Sequence, residues 1–171
     1  MKPIAWRKLD LFARHLVPAV STFGLLLVGI IPLHLPSFPP VAPALPLIAV
    51  FYWTLYRPDL MPPWAVFLLG LLQDILFATP IGVGACVLVI VHAAVSAQRR
   101  FFIGKSFGIL WLGFALVVAL ALPVSWLLSC IYYGRLARPD ALAFQVLTTV
   151  GVFPAMCWLL LRCQLSLLRQ T

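Results

Sequence analysis

Six apolar runs follow one another along the chain, separated by short stretches rich in proline, glycine or charge. The hydrocarbon core of a bilayer is about 30 Å thick, and a helix of about 20 apolar residues crosses it. Several of the runs approach that length. The pattern therefore predicts a single transmembrane domain over residues 1–171, an all-α integral membrane protein with about six transmembrane helices. The predicted spans cover residues 16–35, 45–56, 64–78, 82–97, 107–133 and 141–161.

Two of the runs depart from an ordinary span. The second, 45–56, is short and begins beside a proline-rich stretch that includes Pro43 and Pro46. Irregular backbone is tolerated at membrane depth only where protein buries it, so we expect protein to cover that end. The fifth, 107–133, is longer than a perpendicular span requires. We expect it to tilt, to kink at Pro123 or to project from the bilayer.

The composition supports a membrane protein and argues against a soluble enzyme. Hydrophobic residues make up 64% of the chain and charged residues 9%, whereas soluble domains carry about 25% charged residues. A small soluble fold keeps too much of its surface in water to bury that apolar content. The chain has only four acidic residues, and it lacks a phosphate-binding glycine loop and an acidic cluster for Mg²⁺. We therefore expect no enzymatic activity, no catalytic residue, no cofactor and no metal site.

The distribution of positive charge predicts the orientation in the membrane. Of the twelve Lys and Arg residues, only Arg135 and Arg138 lie in loops on one side of a six-span arrangement; the other ten lie in the termini and the loops on the opposite side. Loops rich in Lys and Arg stay in the cytoplasm, so both termini are predicted to be cytoplasmic. Aromatic residues near predicted span ends, among them Tyr52, Trp53 and Tyr56, are expected at the membrane interface.

Asp74 is the strongest candidate for a functional side chain. It lies within the third run and shares a helical face with Gly70, Gln73 and Phe77. An aspartate at the centre of a span costs roughly 2.5–3.5 kcal/mol on insertion scales and less near the ends, so it should face a partner group or the outer interface. Two interpretations remain open: an anchor that holds the turn Thr79–Gly82, or contact with a partner or ligand.

The loop at Arg57, Pro58 and Asp59 also has two interpretations. A local ion pair or loop anchor is the simpler one, since exposed ion pairs contribute little. A docking contact with another protein is the alternative. The three histidines are scattered and lack the spacing of metal ligands.

A set of short motifs from the second run to the fourth resembles the bacterial rod shape-determining protein MreD family. The motifs are Tyr52-Trp53, then Arg57-Pro58, then Gly70-Leu71-Leu72-Gln73-Asp74, then Pro80-Ile81-Gly82. They occur in the family's order over about 45 residues, and the length, basic N-terminus and number of spans also fit.

The resemblance implies a non-enzymatic inner-membrane component of the rod-shape, or elongation, machinery, which helps to position peptidoglycan synthesis. The implied partners are MreC, RodA and a class B penicillin-binding transpeptidase, with the MreB filament reached indirectly. It also implies a helix arrangement similar to that of the substrate-binding subunits of energy-coupling-factor transporters. A small-molecule-binding membrane subunit of a transporter is therefore the alternative function, although the chain offers few convergent polar groups for a ligand.

Overall fold

The computed structural model describes residues 18–29, 42–135 and 139–168, with side chains to Arg162, and these residues form an all-helical structure. A 3₁₀ turn, Pro58–Leu60, joins the second helix to the third. Both termini and the ends of the first predicted run lie outside the described residues. The helices are α1 (Pro18–Gly29), α2 (Leu45–Tyr56), α3 (Pro63–Leu76), α4 (Val83–Phe102), α5 (Phe107–Tyr133) and α6 (Pro139–Leu168).

Helices α2 and α5 have the bounds of the second and fifth apolar runs, whereas α3, α4 and α6 differ from theirs. Helix α3 ends at Leu76, before the predicted 78, because a turn follows in which Ala78 has a φ of 51°. Helix α4 continues to Phe102, past the predicted end at 97. Arg99 and Arg100 lie in its last turn, where positive side chains are stabilised by the negative end of the helix dipole. Helix α6 likewise exceeds its run at both ends.

Three of the helices, α4, α5 and α6, are long and apolar enough to cross a membrane. The described part of α1, together with α2 and α3, is apolar but shorter. At 1.5 Å per residue, the 12 residues of α2 rise by only about 18 Å. Their length alone does not establish that these three helices cross the membrane. That they do so is a proposal.

Helix α2 lies at the centre of the protein and packs against α4 and α6. Every residue from Leu45 to Leu55 is buried. Tyr52 and Trp53, expected at the membrane interface, do not face the surroundings of the protein, because their exposures are 3% and 0% and neighbouring helices cover them. Tyr56, one turn later, is 45% exposed. A short helix enclosed in this way needs no match to the bilayer thickness, since protein replaces lipid around it.

Three phenylalanines join the central helix to the two long helices beside it. The ring of Phe51 on α2 lies at a steep angle to those of Phe114 on α5 and Phe153 on α6, in T-shaped contacts with centroids 5.1 and 5.8 Å away. Phe114 and Phe153 stack at 4.0 Å. All three are fully buried. Edge and offset contacts of this kind are favourable for aromatic rings, and they fix α5 and α6 around α2.

Both ends of α2 receive polar contacts from distant parts of the chain. The N–H of Ala44, which precedes the helix, donates to Thr149 Oγ1 of α6 at 3.0 Å. At the other end, Arg99 Nε of α4 donates to the carbonyl oxygen of Leu55 at 3.0 Å. Helix ends leave backbone groups unpaired, and in an apolar setting such groups need partners. These contacts allow α2 to lie inside the protein, apart from its last residue.

Candidate functional site

The carboxylate of Asp74 is buried near the end of α3, where it binds the turn that follows and the first turn of α4. Its side chain is 1% exposed. Oδ1 accepts from Thr79 Oγ1 at 2.9 Å and from the N–H of Gly84 at 2.9 Å. Oδ2 accepts from the N–H groups of Gly82 at 2.8 Å and Ala85 at 3.3 Å. All of these donors come from the same chain, so the described structure gives the carboxylate no need of an external partner.

This carboxylate acts as a cap for α4 that is supplied by another helix. The first N–H groups of a helix have no partner within the helix. Gly82 occupies the N-cap position of α4 and has no side chain to supply one. Asp74 takes the N–H groups of Gly82, Gly84 and Ala85, while the N–H of Val83 donates to the carbonyl oxygen of Pro80 at 3.1 Å. A negative charge at a helix N-terminus is also favoured by the helix dipole.

The sequence around the site explains why the two helices approach so closely. Gly82 has a φ of 100°, a conformation that favours glycine. A Cβ at Gly84 would collide with the carboxylate of Asp74. A Cβ at Gly70 would collide with the Cα of Ala85 and lie 2.9 Å from its backbone nitrogen. Glycines thus allow the backbone of α4 to reach the carboxylate and the backbone of α3.

Gln73 lies beside Asp74 and lines a cavity, and its amide nitrogen lies near Gly84, as the carboxylate does. Its Oε1 atom is buried and accepts no hydrogen bond from the part of the chain that the structure describes. The cavity has a volume of about 380 Å³ and lies between the start of α2, the end of α3, α5 and the start of α6. Thr79 also lines it.

Of the other motif residues, Tyr52 and Trp53 lie in the core, and Pro80 lies beside the Asp74 site. Trp53 Nε1 donates to Ser21 Oγ at 3.0 Å and so ties α2 to α1. Tyr52 packs its ring against Trp53 and Tyr56 at 5.5 and 4.8 Å. Pro80 is buried in the turn before α4.

Arg57 and Pro58 lie in the short connection between α2 and α3, away from Asp74. The N–H of Arg57 donates to the carbonyl oxygen of Trp53 at 2.8 Å and ends α2, and Pro58 begins the 3₁₀ turn. The side chains of Arg57 and Asp59 are exposed. The motif residues, which follow one another along the sequence, thus lie at both ends of the protein and in its core. Only Gly70, Gln73, Asp74, Pro80 and Gly82 gather around one site.

Several polar contacts in the core had no signal in the sequence. Thr54 Oγ1 and His92 Nδ1 lie 2.8 Å apart and link α2 to α4, and both residues are buried. The contacts of Arg99 and Thr149 with α2 join residues 44 and 105 positions apart. Local periodicity carries no information on such pairs. Within the described ranges, no group of three or more His, Cys, Asp or Glu side chains is placed to hold a metal ion.

Comparison with known protein families gives a match over most of the chain. The family described as rod shape-determining protein MreD matches residues 12–162, which is most of the 171-residue chain. Comparison with curated proteins and with solved structures found no match. The expected likeness to the substrate-binding subunits of energy-coupling-factor transporters therefore stays a prediction, and the alternative function as a transporter subunit gains no support.

Proposed function

The chain belongs to the MreD family of rod shape-determining proteins, and from this we propose that it is a non-enzymatic component of the elongation machinery in the bacterial inner membrane. The family's role is the determination of rod shape, as a structural membrane protein. In the proposal, the chain holds MreC and the associated synthases, RodA and a class B penicillin-binding transpeptidase, near the site of peptidoglycan synthesis. Contact with the MreB filament is indirect.

The proposed topology has six spans, with both termini in the cytoplasm. In that topology the Asp74 site, the start of α2 and the connection between α5 and α6 lie at the periplasmic end. Arg57, Arg99, Arg100 and Lys105 lie at the cytoplasmic end, which agrees with the positive-inside rule. Because α3 has only 14 residues, its outer turn lies near or within the bilayer. The carboxylate of Asp74 supports this placement, because it accepts hydrogen bonds from backbone N–H groups, for which lipid hydrocarbon offers no acceptor.

The observation that carries the proposal is the distribution of apolar surface. The connections between successive helices from α2 to α6 are short, so none of these loops is large enough for a standard protein interface. Helix α5 carries a row of leucine and isoleucine side chains on one outward face, all at least half exposed. The row consists of Leu112, Leu116, Leu120, Leu127 and Ile131. Such a face contacts either lipid or the transmembrane helix of a partner, and we propose that MreC packs on it.

Co-purification with MreC tests the proposal. Leu116→Trp places a bulky side chain in the middle of the α5 row and should reduce co-purification, while membrane levels of the chain stay normal. Leu147→Trp, on the exposed face of α6, is the matched control, because Leu147 is 72% exposed but lies on another helix. Loss of MreC on the control substitution alone would move the contact from α5 to α6.

The hairpin between α5 and α6 provides the second test. Replacement of Gly134–Asp140 by a neutral linker of equal length should leave most of the MreC in the complex, because the helix faces make the contact. Loss of MreC after this replacement would place the interface in the periplasmic loop. Failure of the unaltered chain to co-purify with MreC would contradict the proposed function itself.

A further inference from the structure

A second cavity lies at the end of the protein opposite Asp74, where α4 ends and α5 begins. Its volume is about 390 Å³, within the range of small-molecule sites in proteins, which span about 300–1,000 Å³. The lining comes from the end of α2, the end of α4, the connection between α4 and α5, and the start of α5. Among the described residues, it includes two cations, Arg99 and Lys105, and no acidic side chain.

The protein uses only part of the hydrogen-bonding capacity of the Arg99 guanidinium. The Nε atom donates to the carbonyl oxygen of Leu55 at 3.0 Å, which fixes the side chain against the end of α2. The two Nη atoms form no hydrogen bond or ion pair with the described residues, and they are not fully buried. A guanidinium has five N–H donors, so four of them remain available at the cavity that Arg99 lines.

Lys105 supplies the second cation, from the connection between α4 and α5. Its N–H donates to the carbonyl oxygen of Phe102 at 3.2 Å, in a turn where Gly104 has a φ of 83°. The turn holds the exposed Lys105 side chain at the rim of the cavity. The Nζ atom lies 5.7 Å from the centroid of the Phe101 ring. Such a contact is weak at an exposed site, and a change of rotamer frees the flexible side chain at little cost.

The acidic residues of the chain leave this pair of cations without a counter-charge in the described structure. The chain has only four acidic residues. Asp74 binds the other end of α4, and Asp140 lies in the first turn of α6. Asp59 is exposed in the 3₁₀ turn and forms no ion pair with either cation, and Asp10 lies outside the described residues. The charge of the lining therefore favours an anion as the ligand.

Apolar side chains beside the cations favour a lipid over a small soluble anion. Ile103 and Phe107 line the same cavity and are 56% and 51% exposed. Phe107 begins α5, a helix long and apolar enough to cross a membrane, so the cavity lies where α5 enters the bilayer. In the proposed topology this end is cytoplasmic. Anionic lipids give the cytoplasmic leaflet a negative surface potential, and basic pockets between membrane helices on that side bind lipid headgroups.

We propose that this cavity, defined by Arg99, Lys105 and Phe107, binds the phosphodiester headgroup of an anionic phospholipid. The phosphate oxygens accept hydrogen bonds from Arg99 Nη and Lys105 Nζ, and an acyl chain packs against Ile103 and Phe107. The proposal rests on the proposed topology for the choice of leaflet, but on no protein partner. Failure to bind this lipid and failure to co-purify with MreC are therefore separate results.

The experiment compares the binding of two phospholipids with identical acyl chains to the full chain in detergent. Phosphatidylglycerol carries a net negative charge, and phosphatidylcholine is zwitterionic. Native mass spectrometry measures the bound fraction of each as its concentration rises, with and without inorganic phosphate. The variants are Lys105→Gln and Arg99→Gln. Arg100→Gln is the matched control, because it makes the same change of charge at an exposed residue that does not line the cavity.

We expect the wild type and Arg100→Gln to bind phosphatidylglycerol more tightly than phosphatidylcholine. Lys105→Gln and Arg99→Gln should each weaken the binding of phosphatidylglycerol about fivefold, which is the contribution of one cation close to anionic lipid. Inorganic phosphate should not displace the lipid, because it has no acyl chain to pack against Ile103 and Phe107. Lys105 is exposed, so Lys105→Gln keeps the test valid if Arg99→Gln does not accumulate.

Four outcomes would overturn the proposal. Equal binding of the two lipids by the wild type would exclude a site for an anionic headgroup. Unchanged binding of phosphatidylglycerol by Lys105→Gln and Arg99→Gln would place the lipid elsewhere on the chain. An equal loss in Lys105→Gln and Arg100→Gln would show a general attraction to the basic surface and no defined cavity. Displacement of phosphatidylglycerol by inorganic phosphate would assign the cavity to a soluble anion.

Discussion

The N–H of Gly84, in the first turn of α4, donates to both carboxylate oxygens of Asp74, at 2.9 and 3.1 Å. The carboxylate can approach the backbone of α4 this closely because Gly84 has no side chain. This contact favours the anchor interpretation of Asp74 over the one in which it binds an external group. It also makes the packing of α3 against α4 sensitive to the addition or removal of single side-chain groups.

Removal of the Asp74 carboxylate should destabilise the protein. Asp74→Leu leaves the N–H groups of Gly82, Gly84 and Ala85 without their acceptor, and an unpaired buried group costs about 1–3 kcal/mol. A typical domain is stable by only about 5–15 kcal/mol, so we expect the level of Asp74→Leu in the membrane to fall severalfold. Immunoblots of membranes and melting curves of purified protein measure this.

Asp74→Asn should have an intermediate effect, because one oxygen remains and the new NH₂ group faces backbone donors. Asp140→Asn is the control, since Asp140 is exposed in the first turn of α6, and its change should stay within about 0.5 kcal/mol. Normal levels and melting of Asp74→Leu, together with loss of rod shape, would contradict the anchor role and favour a partner contact.

Two glycine-to-alanine substitutions should have opposite signs. Gly70→Ala forces a Cβ against the backbone of Ala85, so α3 and α4 must separate. Overpacking of this kind costs about 1–3 kcal/mol. Gly151→Ala, in α6, meets nothing within 4 Å, and alanine is favoured over glycine within a helix by about 0.5–1 kcal/mol. Melting temperatures should therefore fall for the first and stay or rise for the second. Equal effects would show that close helix approach at Gly70 is unimportant.

Arg99 should matter more than its neighbour Arg100. Arg99 Nε donates to the carbonyl oxygen of Leu55 and closes the end of the buried helix α2. Arg99→Gln removes this bond at a half-buried site, and we expect a loss of about 1 kcal/mol in stability. Arg100→Gln makes the same change of charge at an exposed position and should be close to neutral. Melting curves of the two variants separate the hydrogen bond from the charge.

The topology predicts cytoplasmic reporter activity for a fusion after Thr171. Ten of the twelve Lys and Arg residues lie on one side only if the chain crosses the membrane six times. A fusion in the connection between α5 and α6 should give periplasmic activity and serves as the control. Periplasmic activity at Thr171 would mean five spans, with the short helix α2 as the segment that does not cross.

The sequence by itself determined the class of protein, the positions of the helices and the most important single residue of the site. Apolar runs set the approximate helix limits because a bilayer requires continuous apolar segments, and Asp74 stood out because a buried carboxylate is costly there. The turn Thr79–Gly82 was one of the two contacts considered for Asp74, because proline and glycine mark turns locally. Gly84 and Ala85, two of the main donors, were missed because they look like ordinary helix residues.

The tertiary structure alone decided which helix lies at the centre and which side chains close its ends. In a soluble protein, the polar face of each helix shows which side points outward. Here both the lipid and the protein interior are apolar, so the pattern of α2 or α5 cannot distinguish a face that meets lipid from one that meets another helix. The burial of Trp53 and the contacts Ala44–Thr149 and Arg99–Leu55 therefore appear only when the helices are packed.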